Sequence, residues 1–491
     1  MTTAMHHFIN YKFWLAARAV LAHLVANETK VADSRGRSSV ATRRETSFGR
    51  AFRGLKPHGY PQKVAQRLAA DGWVTWRVNR DAGGQGNVLR VTDPRAGSAG
   101  RRRDAVTKCV GWLVAGWLLG LGGPGPLWAE PAAHTADGYA LPQPGRQFVF
   151  PRDHGSHPDF AIEWWYVTGH LFATNQGQYG FQATFFRKAL LAPGATNRSA
   201  SADFGNDQIY LAHMALVDKN SGEFRYQERL NRAGWDAAAA TNTLDVRNGN
   251  WTYRLLPSAP GAPAREVFAL QATIGADVAL TLNFTPKKPL VVFGTNGVSR
   301  KAADPQAASH YLTYSRLAAT GTLTLDTTNV TVTGEAWMDH EFSSSQVGND
   351  QVGWDWLSLQ LFDGREIMAY RMRRKDGTTD PYSTVAWVDQ HSVVRQVGPD
   401  GFKWTVREHW HSPKTGADYP AKMQLAALNP QTGQWETFVV EPLVADQELA
   451  GKIGGVGYWE GACRLRDATG REIGRAYMEL TGYGQSLEGK F

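Results

Sequence analysis

The chain has 491 residues, 42% hydrophobic and 20% charged, a composition that allows roughly two to four folded domains and excludes both a disordered chain and a multi-span membrane protein. Its formal charge of +8 divides unevenly, with +12 on residues 1–130 and −4 on residues 131–491. A nucleic-acid reader carries its positive charge on the folded domain that meets the phosphates, so no nucleic-acid partner is expected.

Residues 1–100 read as a basic, low-complexity N-terminal extension lying upstream of the expected translation start; Ser34–Arg103 is rich in Arg, Gly and Ser without sustained periodicity. Residues 101–129 read as a signal peptide: Arg101-Arg102-Arg103, then the apolar run Cys109–Leu121, then Gly and Pro, then Leu127-Trp128-Ala129. The run is shorter than the ~20 residues a membrane span needs. Export, periplasmic or secreted, with cleavage near Ala129 is the expectation. It leaves Cys463 as the mature chain's one thiol and no internal disulfide.

From Gln147 onward, short β-branched and aromatic segments alternate with Gly, Pro, Asn and Asp. Eighteen Trp, 16 Tyr and 21 Phe beside 51 Gly favour strands over helices. One series runs through Ile162–Phe172, Gly180–Phe186, Ile209–Asp218, Trp251–Leu256, Phe268–Ile274 and Val278–Phe284. A second runs through Gly321–Leu325, Val330–Phe342, Trp354–Leu361, Glu366–Arg373, Ser383–Val388, Lys403–Glu408 and Tyr477–Leu480. The polar stretch Pro286–Ala308 separates them, so the expectation is an all-β protein of two antiparallel barrels, 146–308 and 309–491, with the boundary near Ser309.

No nucleotide-binding or serine-hydrolase motif is credible; Gly120, Gly122 and Gly125 match a dinucleotide fingerprint formally, but Pro126 follows where a helix should start. Two stretches stand out. In Glu163-Trp164-Trp165-Tyr166-Val167-Thr168-Gly169-His170-Leu171 both strand faces are largely apolar, as in a barrel wall. In Trp337-Met338-Asp339-His340-Glu341-Phe342, followed by a polar loop and Gly353-Trp354-Asp355-Trp356, carboxylates lie among indoles. If Val330–Phe342 and Trp354–Leu361 form a hairpin, these ends face each other, and desolvation would raise the carboxyl pKa values as a general acid requires. Structural networks also perturb such groups, and Trp on a strand is most often wall or core. A metal site built from Asp339, His340, Glu341 and His213 is disfavoured because neighbouring strand residues point to opposite faces; neither metal nor cofactor is expected.

The segments EWWYVTGHL (Glu163–Leu171), AHMALVD (Ala212–Asp218), GEAWMDHEF (Gly334–Phe342), GWDWLSLQLFDGREIMAYRMR (Gly353–Arg373), YWEGA (Tyr458–Ala462) and ELTGYG (Glu479–Gly484) resemble the family that joins AttH-type exported proteins with carotenoid 1,2-hydratases. The resemblance covers about Gln147–Phe491 and implies two lipocalin-like barrels in tandem around a hydrophobic small molecule, an isoprenoid, carotenoid or lipid. It implies one of two functions: hydration of an isoprenoid double bond, or non-enzymatic carriage of such a molecule for an envelope transporter. For hydration, the expected acid is Asp339, with Asp355 or Glu341 orienting the water and His340 or Tyr166 fixing the network. Trp164, Trp165, Tyr166, Trp337, Trp354 and Trp356 are the expected ligand-binding aromatics, near the junction of the barrels.

Overall fold

The computed structural model describes residues 132–487 except 175, 194–207, 259–264 and 454–456, together with the backbone of two short upstream strands. The chain divides into two compact units, Met1–Trp128 and Ala129–Phe491. In the first, β1 (Val74–Arg77) and β2 (Val88–Val91) pair antiparallel. The expected signal at 101–129, and the rest of the extension, lie outside the described residues.

The second unit is all-β. Helical turns among its described residues are the short 3-10 segments Arg152–His154 and Pro399–Gly401. The first sheet has 13 strands. Its members in chain order are β3 (Ile162–Ala173), β4 (Gln178–Ala189), β5 (Gln208–Asp218), β6 (Phe224–Arg232), β7 (Ala237–Ala239), β8 (Asp245–Asn248), β9 (Trp251–Leu255), β10 (Phe268–Ile274), β11 (Val278–Pro286), β12 (Val291–Phe293), β13 (Ser299–Arg300), β14 (Ala308–Leu325) and β15 (Thr328–Ser345). They lie in the order β6-β5-β4-β3-β15-β14-β11-β10-β9-β8-β7, with β12 and β13 on β14. The sheet curls into a barrel whose free ends meet through side chains: Asn231 donates to Asn248 at 2.6 Å, and Asn248 to the Tyr210 carbonyl at 3.1 Å.

The second sheet begins at β16 (Gln351–Leu361) and continues through β17 (Glu366–Arg374), β18 (Thr384–Val388), β19 (Val394–Val397), β20 (Phe402–His411), β21 (Asp418–Leu428), β22 (Trp435–Pro442), β23 (Glu448–Leu449), β24 (Tyr458–Arg466) and β25 (Glu472–Thr481). Its order is β19-β18-β17-β16-β25-β24-β22-β21-β20, curled into a half-barrel, with β23 on β24. The change of sheet falls between Ser345 and Gln351, whereas Ser309, the expected boundary, lies inside β14. The polar stretch that reads as a linker instead holds β12 and β13, which pair back onto β14.

Alternation explains the packing. In β10 and β11, Phe268, Leu270, Ile274, Val278, Leu280, Leu282 and Phe284 fill the barrel while the residues between them turn outward. In β3 both faces are buried: Trp165, Val167 and Leu171 point into the barrel, and Trp164 and Tyr166 point out onto a separate aromatic cluster with Trp337, Trp356, Met368, Tyr370 and Tyr477. That cluster joins the outer faces of the two sheets, as in a sandwich. Where β4 meets β24, a Cβ built on Gly180 would stand 2.3 Å from the Ala462 methyl, so only glycine fits there.

Candidate functional site

β15 pairs with β3 so that Glu341 faces Trp164, His340 faces Trp165 and Asp339 faces Tyr166. A strand sends successive side chains to opposite faces. Trp337, Asp339, Glu341, Trp164 and Tyr166 therefore reach the junction between the sheets, and Trp165 and His340 reach the barrel interior, where their rings stack at 5.0 Å.

Asp339 is 3% exposed. Its carboxyl accepts hydrogen bonds from Thr313 (2.5 Å), Tyr311 (2.7 Å) and the Trp337 indole (2.9 Å). Burial raises its pKa to about 7; the three bonds pull it back and the nearby Glu341 adds to the rise, while Lys301 acts on it from beyond Tyr311. Tyr311 also accepts from the Trp356 indole at 2.9 Å, which ties this carboxyl to the second sheet. Trp356 in turn meets Trp337 and Tyr166 edge to face, with ring centroids 6.0 and 5.5 Å apart.

Further carboxyls line the same junction. Glu341 pairs with the buried Lys301 at 3.1 Å and accepts from Gln346 at 3.2 Å. Lys301 lies over the rings of Tyr311 and Tyr370 at 4.7 and 4.5 Å. Burial opposes its charge, but Glu341, Tyr370 and Asp339 together outweigh burial and its pKa is raised. From the second sheet come Glu479, which accepts from the Trp354 indole at 3.0 Å, and Glu460, which accepts from Gln182 at 2.7 Å. Burial pushes Glu479 to about 7, and burial with the charge of Glu479 pushes Glu460 well above the carboxylate range.

Several expected relations change. Val330–Phe342 and Trp354–Leu361 are not a hairpin: β15 pairs with β14 and β3, and β16 with β17 and β25. They meet face to face from different sheets, because the hairpin partner of β15 is the unforeseen N-terminal half of β14. Trp354 and Trp356 reach the junction, whereas Asp355 between them turns to the other face, beside the half-barrel core residues Leu357 and Leu359. There it pairs with Arg373 at 3.0 Å and accepts from Tyr483 at 2.9 Å. The structure thus brings Asp339, Glu341, Tyr166, Trp164, Trp337, Trp354 and Trp356 to one junction and leaves Asp355, His340 and Trp165 elsewhere.

His340 belongs to a second polar cluster. Its Nε2 lies 2.9 Å from Glu163, which also accepts from His157 Nδ1 (2.8 Å), Arg187 Nε (2.9 Å) and Ser156 Oγ (2.9 Å). Burial raises the Glu163 pKa, but Arg187 and the two histidines outweigh it and hold the carboxyl well below its usual range. His340 is lowered to about 4, chiefly by burial. One donor atom from each of His157, Glu163 and His340 lies within 4.8 Å of the others, the spacing of a metal site. Asp153 and Glu163 engage both ring nitrogens of His157, and Arg187 pairs with Glu163, whereas His340 Nδ1 is buried without a hydrogen-bond partner.

Tyr311, Thr313, Lys301, Glu460 and Glu479 were not anticipated as site residues. The available signal for the last two is a glutamate inside an otherwise apolar strand, Tyr458-Trp459-Glu460-Gly461-Ala462 and Tyr477-Met478-Glu479-Leu480. Lys301 and Tyr311 carry no such signal, since they depend on β13 and β14 lying together.

A pocket at the junction, bordered by Thr168, His170, Trp337, Gln360 and Tyr477, holds about 10 Å³ of free space, room for one water. Among solved structures, an AttH protein from Nitrosomonas europaea is 34% identical, with a TM-score of 0.61 over 70% of this chain and 99% of its own. Kievitone hydratase from Nectria haematococca aligns over 72% of this chain and 98% of its own at 13% identity, with a TM-score of 0.46. No curated protein sequence matches this chain. The AttH-like family model matches residues 141–483. With the match to the Nitrosomonas protein, this places the chain in the AttH-like family.

Proposed function

We propose that this protein binds a hydrophobic isoprenoid at the junction of its sheets and adds water across a trisubstituted C=C bond by acid catalysis, as carotenoid 1,2-hydratases do. The observation that carries the reading is Asp339: a buried carboxyl whose hydrogen-bond donors are all neutral, partly un-ionised near neutral pH, set among Trp337, Trp356 and Tyr166. Protonating an isolated alkene demands an acid that keeps its proton at the working pH. It also creates a tertiary carbocation, which each aromatic face would stabilise by about 0.5–2 kcal/mol once water is excluded. Lys301 and Glu341 pair at 3.1 Å within the same junction.

The rival reading is a carrier of lipids or isoprenoids that serves an envelope transporter. It needs apolar walls and gives an un-ionised carboxyl nothing to do. Incubating the protein with lycopene, squalene or geranylgeraniol in ¹⁸O-water separates the two: a labelled tertiary alcohol supports hydration, and bound but unchanged ligand supports carriage. Asp339→Asn keeps the shape without a transferable proton, so binding should persist while hydration falls roughly 10²-fold or more. Wild-type rates from this variant would reject Asp339 as the acid. Either activity is proposed to operate outside the cytoplasm, after cleavage near Ala129. N-terminal sequencing of protein from its host tests this, and an intact N-terminus on exported material would reject it.

A further inference from the structure

We propose that Glu460 and Glu479 form a second acid–base centre of the junction, a carboxyl pair that holds the attacking water and takes its proton. The proposal rests on the hydration reading above and supplies the base that reading lacks.

The geometry comes from strand register. Across the second sheet, Trp356 on β16 stands opposite Glu479 on β25, and Glu479 opposite Glu460 on β24. Across the first, Thr313, Asp339, Tyr166 and Thr184 stand opposite one another in turn on β14, β15, β3 and β4. The two rows face each other: Trp356 bonds Tyr311 of β14, which holds Asp339, and Gln182 of β4 bonds Glu460. Two carboxyls on adjacent strands, buried, with no cation among the groups acting on either, cannot both be charged. One member can take a proton while the other keeps its own.

A second observation is a set of buried polar atoms on β3, β4 and β24. Glu460 Oε1, Gln182 Oε1 and the Tyr166 hydroxyl are buried and lack well-formed hydrogen bonds, although Tyr166 lies against Glu460. Gln182 and Glu460 are each 1% exposed and Tyr166 is 7% exposed. Buried polar atoms left this way call for an explanation, and one water needs two to four such partners.

The step balances. The π electrons of the alkene take the proton of Asp339, forming the C–H bond and the tertiary cation. The oxygen of the held water attacks the cation to form the C–O bond. Its released proton passes to the ionised member of the pair, and a proton returned to Asp339 from the pair through water closes the cycle. Substrate and water give the tertiary alcohol.

The test uses the chain as it stands, with geranylgeraniol in D₂O, and follows both deuterium in the vinylic position of recovered alkene and the alcohol formed. Glu479→Gln should lower alcohol formation roughly 10²-fold while deuterium exchange continues, because Asp339 still protonates and deprotonates the alkene. Asp339→Asn should abolish both. Alcohol formation at the wild-type rate in Glu479→Gln, or loss of exchange together with alcohol in a variant that still quenches Trp fluorescence on binding the probe, overturns the base role. Infrared spectra report the pair without turnover: the difference between Asp339→Asn and the triple variant D339N/E460Q/E479Q should contain a carboxylic-acid band at neutral pH. Its absence overturns the shared proton. A wild type that exchanges and hydrates nothing rejects the hydration reading, and the base role with it, whatever the infrared result.

Discussion

Glu163 and Asp339 sit on paired strands, β3 and β15, each almost wholly removed from water, and point to opposite sides of one sheet. Glu163 looks into the barrel at Arg187, His157, His340 and Ser156, and its carboxyl is held below the usual range. Asp339 looks into the junction at two hydroxyls and an indole, and its carboxyl is lifted to about 7. Burial is common to both. The difference lies in partners: cations and charge-assisted donors make one carboxylate a structural anion, and neutral donors leave the other a proton-holding acid.

The sharpest break of this comparison is Glu163→Gln, which leaves Arg187 buried without its anion and should cost about 3–5 kcal/mol of stability, read as a lowered urea midpoint. His340→Phe keeps a ring against Trp165 but removes a donor to a charged group. It should cost about 1.5–3 kcal/mol and leave hydration unchanged, because His340 faces away from the junction.

The pH dependence of stability should carry opposite signs for the two carboxyls. Glu163, depressed in the fold, contributes stability that is present above its unfolded value near 4.5 and is lost as pH falls. Asp339, raised from 3.8 to about 7, contributes stability that is full below 3.8 and is lost as pH rises toward 7. Denaturation midpoints between pH 4 and 7 should therefore decline less in Asp339→Asn than in wild type, by up to about 1.4 kcal/mol per pH unit for one proton. Glu479 titrates in the same window, so a residual decline should remain. The smallest effect is Asp339→Asn at pH 3, where the carboxyl is un-ionised in both the folded and the unfolded chain and exchange for a neutral amide should shift stability by about 1 kcal/mol or less.

The all-β class and most strands were legible because alternation and turn residues are local signals. The strong run of Glu163–Leu171 was legible as a wall with two buried faces, and so was the placing of Trp337 and Asp339 on a shared face. What could not be read was pairing. Asp355 sits between two junction tryptophans in the chain, and only the partners of β16 reveal that its face belongs to Arg373. His340 looked like a neighbour of Asp339 and is, through one peptide bond, but the pleat carries it to Glu163. β14 is legible only from Gly321 onward, because Ala308–Thr320 mixes Ser, His, Arg and Thr with its apolar residues; Thr313, Ser315 and Arg316 meet buried carboxyls, and His310 the Gly297 carbonyl, rather than water. Missing that half-strand displaced both the expected boundary and the expected hairpin.

The 18-residue strands β14 and β15 have a consequence for synthesis. Chains emerge N-terminal end first, so the ribosome completes the first sheet at Ser345 while every residue of the second is still to come. The outer face bearing Tyr166, Trp337 and Asp339 is then finished but uncovered, an apolar surface of the kind that sticks to other chains. Its natural cover, beginning with Trp354 and Trp356, is among the next residues to be translated. A fragment ending at Ser345 should accordingly require a chaperone to stay in solution, whereas the same fragment extended through β25 should not.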